Sequence, residues 1–222
     1  MLQEKALAIL KSGRNVFLTG SAGTGKTYVL NEYITYLKAR KVPVAITAST
    51  GIAATHMNGM TIHSWAGIGV KDHLTKGDLA SMKTKKYLKT HLERVKVLII
   101  DEVSMLHKNQ INLVDIVLQY FKGNNDAFGG IQVVLSGDFF QLPPIGKPGE
   151  TSKEKFSFMS EPWLKASLSV CYLTEQYRQS DNDLNLILNE IRQGGISDKS
   201  YSQLKKASKN KLNEQKVATK LF

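Results

Sequence analysis

The sequence predicts an α/β protein with a mostly parallel central sheet and helices on both faces. Three observations carry this reading. Short apolar runs alternate with segments of helical periodicity along the chain. A glycine-rich loop, Gly20-Ser21-Ala22-Gly23-Thr24-Gly25-Lys26-Thr27, directly follows the first apolar run. Val97-Leu98-Ile99-Ile100 is apolar at every position, as a parallel strand covered on both faces is, and it ends in Asp101-Glu102.

The elements follow in order. Leu2, Ala6, Ile9 and Leu10 recur at helical spacing, and Gly13 stops that helix. Val16-Phe17-Leu18-Thr19 is a short buried strand that runs into the glycine-rich loop. A helix then extends to about Arg40 and ends before Pro43. Val44-Ala45-Ile46-Thr47 is a second strand. Residues 49–70 are rich in Gly, Ser and Thr and read as loops with a short helix. The lysine-rich stretch 75–93 reads as one helix, followed by the 97–100 strand. Ile111, Val114, Leu118 and Phe121 mark a helix, and residues 131–135 a strand. A Pro/Gly-bearing loop passes through Pro143, Pro144, Pro148 and Gly149. Residues 169–173 form a further strand, with Cys171 as a small core residue. Leu184, Ile187, Leu188 and Ile191 mark a helix closed by Gly194-Gly195. The expected division is one nucleotide-binding lobe over residues 1–195 and a basic helical or frayed tail over 196–222.

Composition narrows the function classes. The 222 residues carry 30 Lys+Arg against 19 Asp+Glu, a net charge of +11. The charge is uneven: residues 71–96 hold eight basic and three acidic side chains, whereas 97–195 are net acidic. Such a distribution points to a polyanion, most simply nucleic acid. No apolar run approaches the ~18–20 residues that span a bilayer, so no membrane partner is expected. A single cysteine excludes an internal disulfide and suits a reducing compartment. The expected location is the cytoplasm, at the nucleoid in a bacterium, with nucleus and mitochondrion as alternatives. The N-terminal residues lack the pattern of a cleaved secretory signal.

The glycine-rich loop matches G-x-x-x-x-G-K-[ST] in full, after a strand and before a helix. Its glycines let backbone N–H groups turn inward on phosphate oxygens, and the following helix adds its positive N-terminal end. Lys26 supplies a cation for the β/γ-phosphates and the Thr27 hydroxyl a ligand for Mg²⁺. Asp101, delivered by a strand end, would hold Mg²⁺ as well. Glu102 could then polarise an attacking water. ATP and Mg²⁺ are the expected cofactor set.

Several segments then agree in order: the loop 20–27, Thr47-Ala48-Ser49-Thr50-Gly51, Gly59-Met60-Thr61-Ile62-His63-Ser64-Trp65, Ile99-Ile100-Asp101-Glu102, Ser136-Gly137-Asp138-Phe139-Phe140-Gln141-Leu142-Pro143-Pro144 and Gln176-Tyr177-Arg178-Gln179. Over residues 1–195 the chain resembles the first RecA-like motor lobe of the Pif-one/RecD-like DNA helicases of superfamily one. The resemblance implies a RecA-like P-loop NTPase fold and ATP-driven 5′-to-3′ movement on single-stranded DNA or a tailed duplex. It implies that Gly20, Ser21, Ala22, Gly23, Thr24, Gly25, Lys26 and Thr27 cradle the nucleotide with Asp101, and that Glu102 activates water. Gln3 matches a glutamine that reads the adenine edge. Gln141 matches a γ-phosphate sensor coupled to the DNA track, and Arg178 an arginine that reaches the γ-phosphate across the interlobe cleft. Tyr177 resembles an aromatic that stacks on the base; a core role is the equal alternative.

For DNA, the resemblance points to Ser49, Thr50, Thr61 and His63. Hydroxyls and backbone N–H groups hold phosphates, and His63, Trp65 or Phe140 can stack on bases. Trp65 is as readily a core anchor.

Such a motor uses two RecA-like lobes. The 27 residues after Gly195 are too few for a ~100-residue domain. The expectation is therefore one lobe of a motor whose second lobe is missing from this sequence. The competing expectation is a nucleotide- and DNA-binding module with little turnover of its own. A guanine-reading N-K-x-D motif is absent, since Asn210-Lys211-Leu212-Asn213 lacks the aspartate.

Overall fold

The computed structural model describes residues 1–146, 149–151, 153–175 and 182–208. The chain divides into two compact units, residues 1–177 and 178–222.

In the first unit, α1 (Gln3–Lys11), β1 (Val16–Gly20), α2 (Lys26–Ala39) and β2 (Val44–Ala48) come first. Then follow α3 (Gly51–His56), β3 (Met60–Thr61), α4 (Ile62–Trp65), α5 (Lys76–Thr84) and α6 (Lys86–Arg94). The unit continues with β4 (Val97–Asp101), α7 (Lys108–Lys122), β5 (Gln132–Ser136), α8 (Glu161–Lys165) and β6 (Ser169–Leu173). The six strands form one sheet in the order β3-β2-β4-β5-β1-β6, parallel at every pairing. This is the α/β architecture that the strand–helix alternation predicts.

Alternation along each strand divides the core in two. Ile99 and Val134 pack with Leu18 and Cys171 against Leu10, Leu30 and Tyr33 of α1 and α2. Leu98, Ile100 and Leu135 face the other way, against Leu88 and Leu92 of α6 and Val114 and Leu118 of α7. β4 is buried along its whole length, which accounts for its unbroken apolar run. Cys171 is a buried core residue, and burial pushes its thiol up.

Three local readings change. Residues 75–93 form two helices, because Lys85 adopts extended backbone (φ −77°, ψ 101°) between α5 and α6. Met82 and Leu88, both buried, are six residues apart and would lie about 120° apart on a continuous helix. The break brings both into one core. The loop region 49–70 contains the two-residue strand β3 as well as two short helices. The segment after the Pro/Gly loop contains α8, with Pro162 in its first turn, where a missing N–H costs nothing.

In the second unit, α9 (Asn182–Arg192) and α10 (Asp198–Ala207) form a helical hairpin. The Glu190 carboxylate accepts bonds from the Ser197 N–H at 2.9 Å and its hydroxyl at 3.0 Å. The Gln203 amide donates to Asp183 at 3.0 Å.

Candidate nucleotide and nucleic-acid site

The strand order assembles the site. β5 stands between β1 and β4. The phosphate loop after β1, Asp138 after β5 and Asp101-Glu102 at the end of β4 therefore emerge side by side. They do so at the carboxyl ends of parallel strands, where α/β proteins bind ligands.

The phosphate loop is held by its own polar groups. The Lys26 ammonium donates to the carbonyls of Gly20 at 2.7 Å and Ser21 at 3.1 Å. The Thr24 hydroxyl donates to the Ser21 carbonyl at 2.8 Å. Gly25 caps α2 in the left-handed region (φ 81°), and a Cβ there would sit 2.1 Å from Gln3 Nε2. Ser21, Gly23 and Lys26 are half-buried, Ala22 and Thr27 are exposed, and Thr27 lies in the first turn of α2.

Gln3 reaches the loop from α1, with its side-chain amide donating to the Thr24 carbonyl at 3.0 Å. Beside it lies a cavity of 470 Å³ lined by Gln3, Leu7, Tyr28, Val29 and Glu175 among others.

The carboxylates are strongly shaped by their surroundings. Burial pushes the Asp101 carboxyl above its ordinary range, against the opposing pull of Ser136, the Glu102 backbone and Lys26. Glu102 is raised first by burial, then by the charges of Asp101 and Asp138, with Lys26 pulling it down. Glu102 also sits at φ 52°, a left-handed conformation that costs a non-glycine residue energy. This strain falls on the residue expected to activate water.

Asp138 escaped the sequence reading. It is 1% exposed and ties down the loop that follows β5. It accepts the Phe140 N–H at 3.1 Å, and the Gln141 amide lies 3.4 Å from its second oxygen. Its signal was a third carboxylate at a strand end, masked by the more familiar Gln141 beside it. Further along, His107 Nδ1 accepts the Asn109 N–H at 3.1 Å, so Nε2 carries the proton that Glu150 receives at 2.9 Å. That pair pins the same loop to the start of α7.

Of the residues expected to meet DNA, Ser49, Thr50, Thr61 and His63 lie on the β2 and β3 connections and Phe140 on the loop after β5. The Ser49 N–H donates to the Asp101 carbonyl at 3.1 Å, which ties this connection to the carboxylate strand. The hydroxyls of Thr50 and Thr61 cap α3 and α4. His63 is half-buried with Nε2 2.6 Å from Gln110 Nε2, and burial lowers its pKa. Trp65, 5% exposed, is a core anchor, whereas Phe140 is 69% exposed. Tyr177 and Arg178 lie outside the described residues.

Residues 3–201 match the PIF1-like helicase family. The chain belongs to that family. It is 60% identical over 205 residues to the ATP-dependent DNA helicase Pif1 of Psychrobacter sp., covering 89% of this chain and 31% of that protein. It is 43% identical over 200 residues to the ATP-dependent DNA helicase RRM3 of Saccharomyces cerevisiae, covering 89% of this chain and 28% of that one. The chain thus spans about a third of the length of these curated relatives. Among solved structures, the Pif1 helicase of Candida albicans superposes with a TM-score of 0.84 at 36% identity. That match covers 96% of this chain and 48% of the other. A Bacteroides Pif1 in complex with ADP-AlF3 and single-stranded DNA gives a TM-score of 0.81 at 30% identity, over 96% of this chain and 51% of the other.

The PIF1-like chain has the RecA-like P-loop fold. No helix among its described residues is long and apolar enough to cross a membrane.

Proposed function

We propose that this PIF1-like chain is the first motor lobe of a 5′-to-3′ DNA helicase, holding ATP and single-stranded DNA and hydrolysing ATP when a second RecA-like lobe closes the cleft. The observation that carries this reading is the convergence of Lys26, Asp101, Glu102 and Asp138 on three adjacent strand ends. Lys26 acts electrostatically on both Asp101 and Glu102.

In this reading the loop N–H groups and Lys26 bind the phosphates, and Gln3 borders the cavity that takes the adenine. The available donors, the Thr27 hydroxyl and the Asp101 carboxylate, are hard oxygens that fit Mg²⁺, which prefers few protein ligands and substrate phosphates. When bound, Mg²⁺ neutralises charge developing on the phosphates. Glu102, with its carboxyl raised above the ordinary value by burial, is suited to take a proton from water. Gln141, held beside Asp138, senses the γ-phosphate. Arg178 completes the charge stabilisation across the cleft, and Tyr177 stacks on the base. Ser49, Thr50, Thr61, His63 and Phe140 form the DNA face. This role fits the cytoplasm and nucleoid of a bacterium, with nucleus and mitochondrion as the alternatives.

Calorimetric titration with ATP tests the core of the proposal. Losing a charge-assisted contact of about 1.5–3 kcal/mol should weaken binding roughly tenfold or more in Lys26→Ala. Equal affinity for the parent and the variant would remove the nucleotide assignment.

A further inference from the structure

A second groove lies on the outer edge of the sheet, lined by residues to which the proposed function gives no role. β3 pairs only with Thr47 and Ala48, at the C-terminal end of β2. The N-terminal part of β2 therefore has a strand neighbour on one side alone. At the start of β2 the Pro43 carbonyl accepts the Lys96 N–H at 2.9 Å, and just past its end the Ser49 N–H donates to the Asp101 carbonyl at 3.1 Å. These odd-numbered positions turn their backbone toward β4. The alternation of a parallel ladder turns Val44 and Ile46 the other way, outward. At Ile46 the backbone of Gly59 comes so close that a Cβ on Gly59 would lie 2.4 Å from the Ile46 carbonyl. No second strand among the described residues pairs with Val44 on that side.

Beside this edge is a cavity of 780 Å³. Its lining is mostly apolar, with Val44, Ile46, Met60, Trp65 and Tyr87 around it and Lys86 at its rim. It shares Val44, Ala45, Trp65, Thr90 and His91 with a neighbouring 280 Å³ pocket that reaches Arg94. Met60 is 42% and Tyr87 59% exposed. The helix that walls the groove, α6, carries Lys86, Lys89 and Arg94 against the single acid Glu93. None of those three cations forms an ion pair among the described residues.

We propose that this groove docks an extended, acidic peptide of a partner protein, which adds to the free edge of β2. Backbone groups of Val44 would receive the peptide main chain, as in strand addition generally. The apolar walls would take every second side chain, and Lys86 and Arg94 would meet the acidic ones. An exposed sheet edge of this kind is a template for pairing unless something covers it. The cationic wall selects against a basic or neutral segment. The proposal is independent of the nucleotide assignment.

The test uses the 222-residue chain and a fluorescein-labelled octapeptide alternating valine and glutamate. Anisotropy should show saturable binding, and amide exchange at Val44 should slow when the peptide is added. The Lys86→Glu variant should bind about three- to fivefold more weakly, the scale of one rim charge. Tyr87→Glu should also weaken binding, and neither variant should change ATP affinity. A central proline in the peptide should cost roughly three- to tenfold through a lost main-chain bond. Absence of saturable binding would overturn the proposal, as would affinity unchanged by both variants or unaltered exchange at Val44. Displacement of the peptide from this groove by oligothymidylate, with matching loss in Lys86→Glu, would reassign the groove to nucleic acid.

Discussion

The Gln3 side-chain amide donates to the Thr24 carbonyl at 3.0 Å, so the first turn of α1 braces the middle of the phosphate loop. One bond of this kind contributes about 0.5–1.5 kcal/mol net. Gln3→Ala should therefore weaken ATP binding roughly three- to tenfold through loop disorder and the lost base contact. GTP, which presents a different base edge, should discriminate less between parent and variant. Identical ATP affinities in calorimetry would show that the brace is dispensable.

Glu102 combines a raised carboxyl with a left-handed backbone. Glu102→Gln keeps the shape and removes the basicity. In a PIF1-like protein carrying both lobes, it should retain ATP affinity within about twofold while losing turnover by ~10²–10⁴. Single-turnover hydrolysis beside a binding titration separates the two, and unchanged turnover refutes the role.

Asp101 yields a prediction about pH. Burial holds its carboxyl above the unfolded value, despite Ser136, the Glu102 backbone and Lys26. The native state then binds more protons than the unfolded chain within that window, so stability falls as pH rises through it. Asp101→Asn removes the buried charge and should raise the Tm at pH 7.5. A gain of about 1 kcal/mol corresponds to roughly 2–4 °C in a domain this size. The gap should close as pH falls toward the ordinary carboxylate range. Calorimetric scans giving one constant difference at every pH would contradict the charge-burial account.

Phe140 and Trp65 separate surface from core. Phe140, 69% exposed, should be replaceable by alanine with little change in Tm. If it stacks on a base, the loss is about 1–3 kcal/mol of single-stranded DNA affinity. Trp65→Ala should instead cost about 3–5 kcal/mol of stability. Anisotropy on oligothymidylate across a salt series gives the electrostatic share, a log–log slope near −0.7 per neutralised phosphate. A slope near zero would remove the phosphate contacts.

The central strands and the phosphate loop were legible because burial on both faces and phosphate geometry each leave a strict residue pattern. β4 runs apolar to Asp101, and the loop reads residue by residue. The break at Lys85 left no such mark, since neither glycine nor proline announces it. β3 is too short for alternation to register. Asp138 was hidden for another reason: the sequence displays a carboxylate but not its burial, and only the strand order reveals that β5 delivers it between Lys26 and Glu102. Gln3 shows the same gap, because 21 positions separate it from the carbonyl it holds.

The bond from the Ser49 N–H to the Asp101 carbonyl has a mechanical consequence. It continues the β2–β4 ladder to the point where the proposed DNA track begins. If that ladder moves as a unit, a shift of the Asp101 peptide is carried to Ser49 through this bond. On this lobe, fuel and track would then move in phase, as two points on one rigid plate, and any delay between hydrolysis and stepping would have to arise where lobe meets lobe.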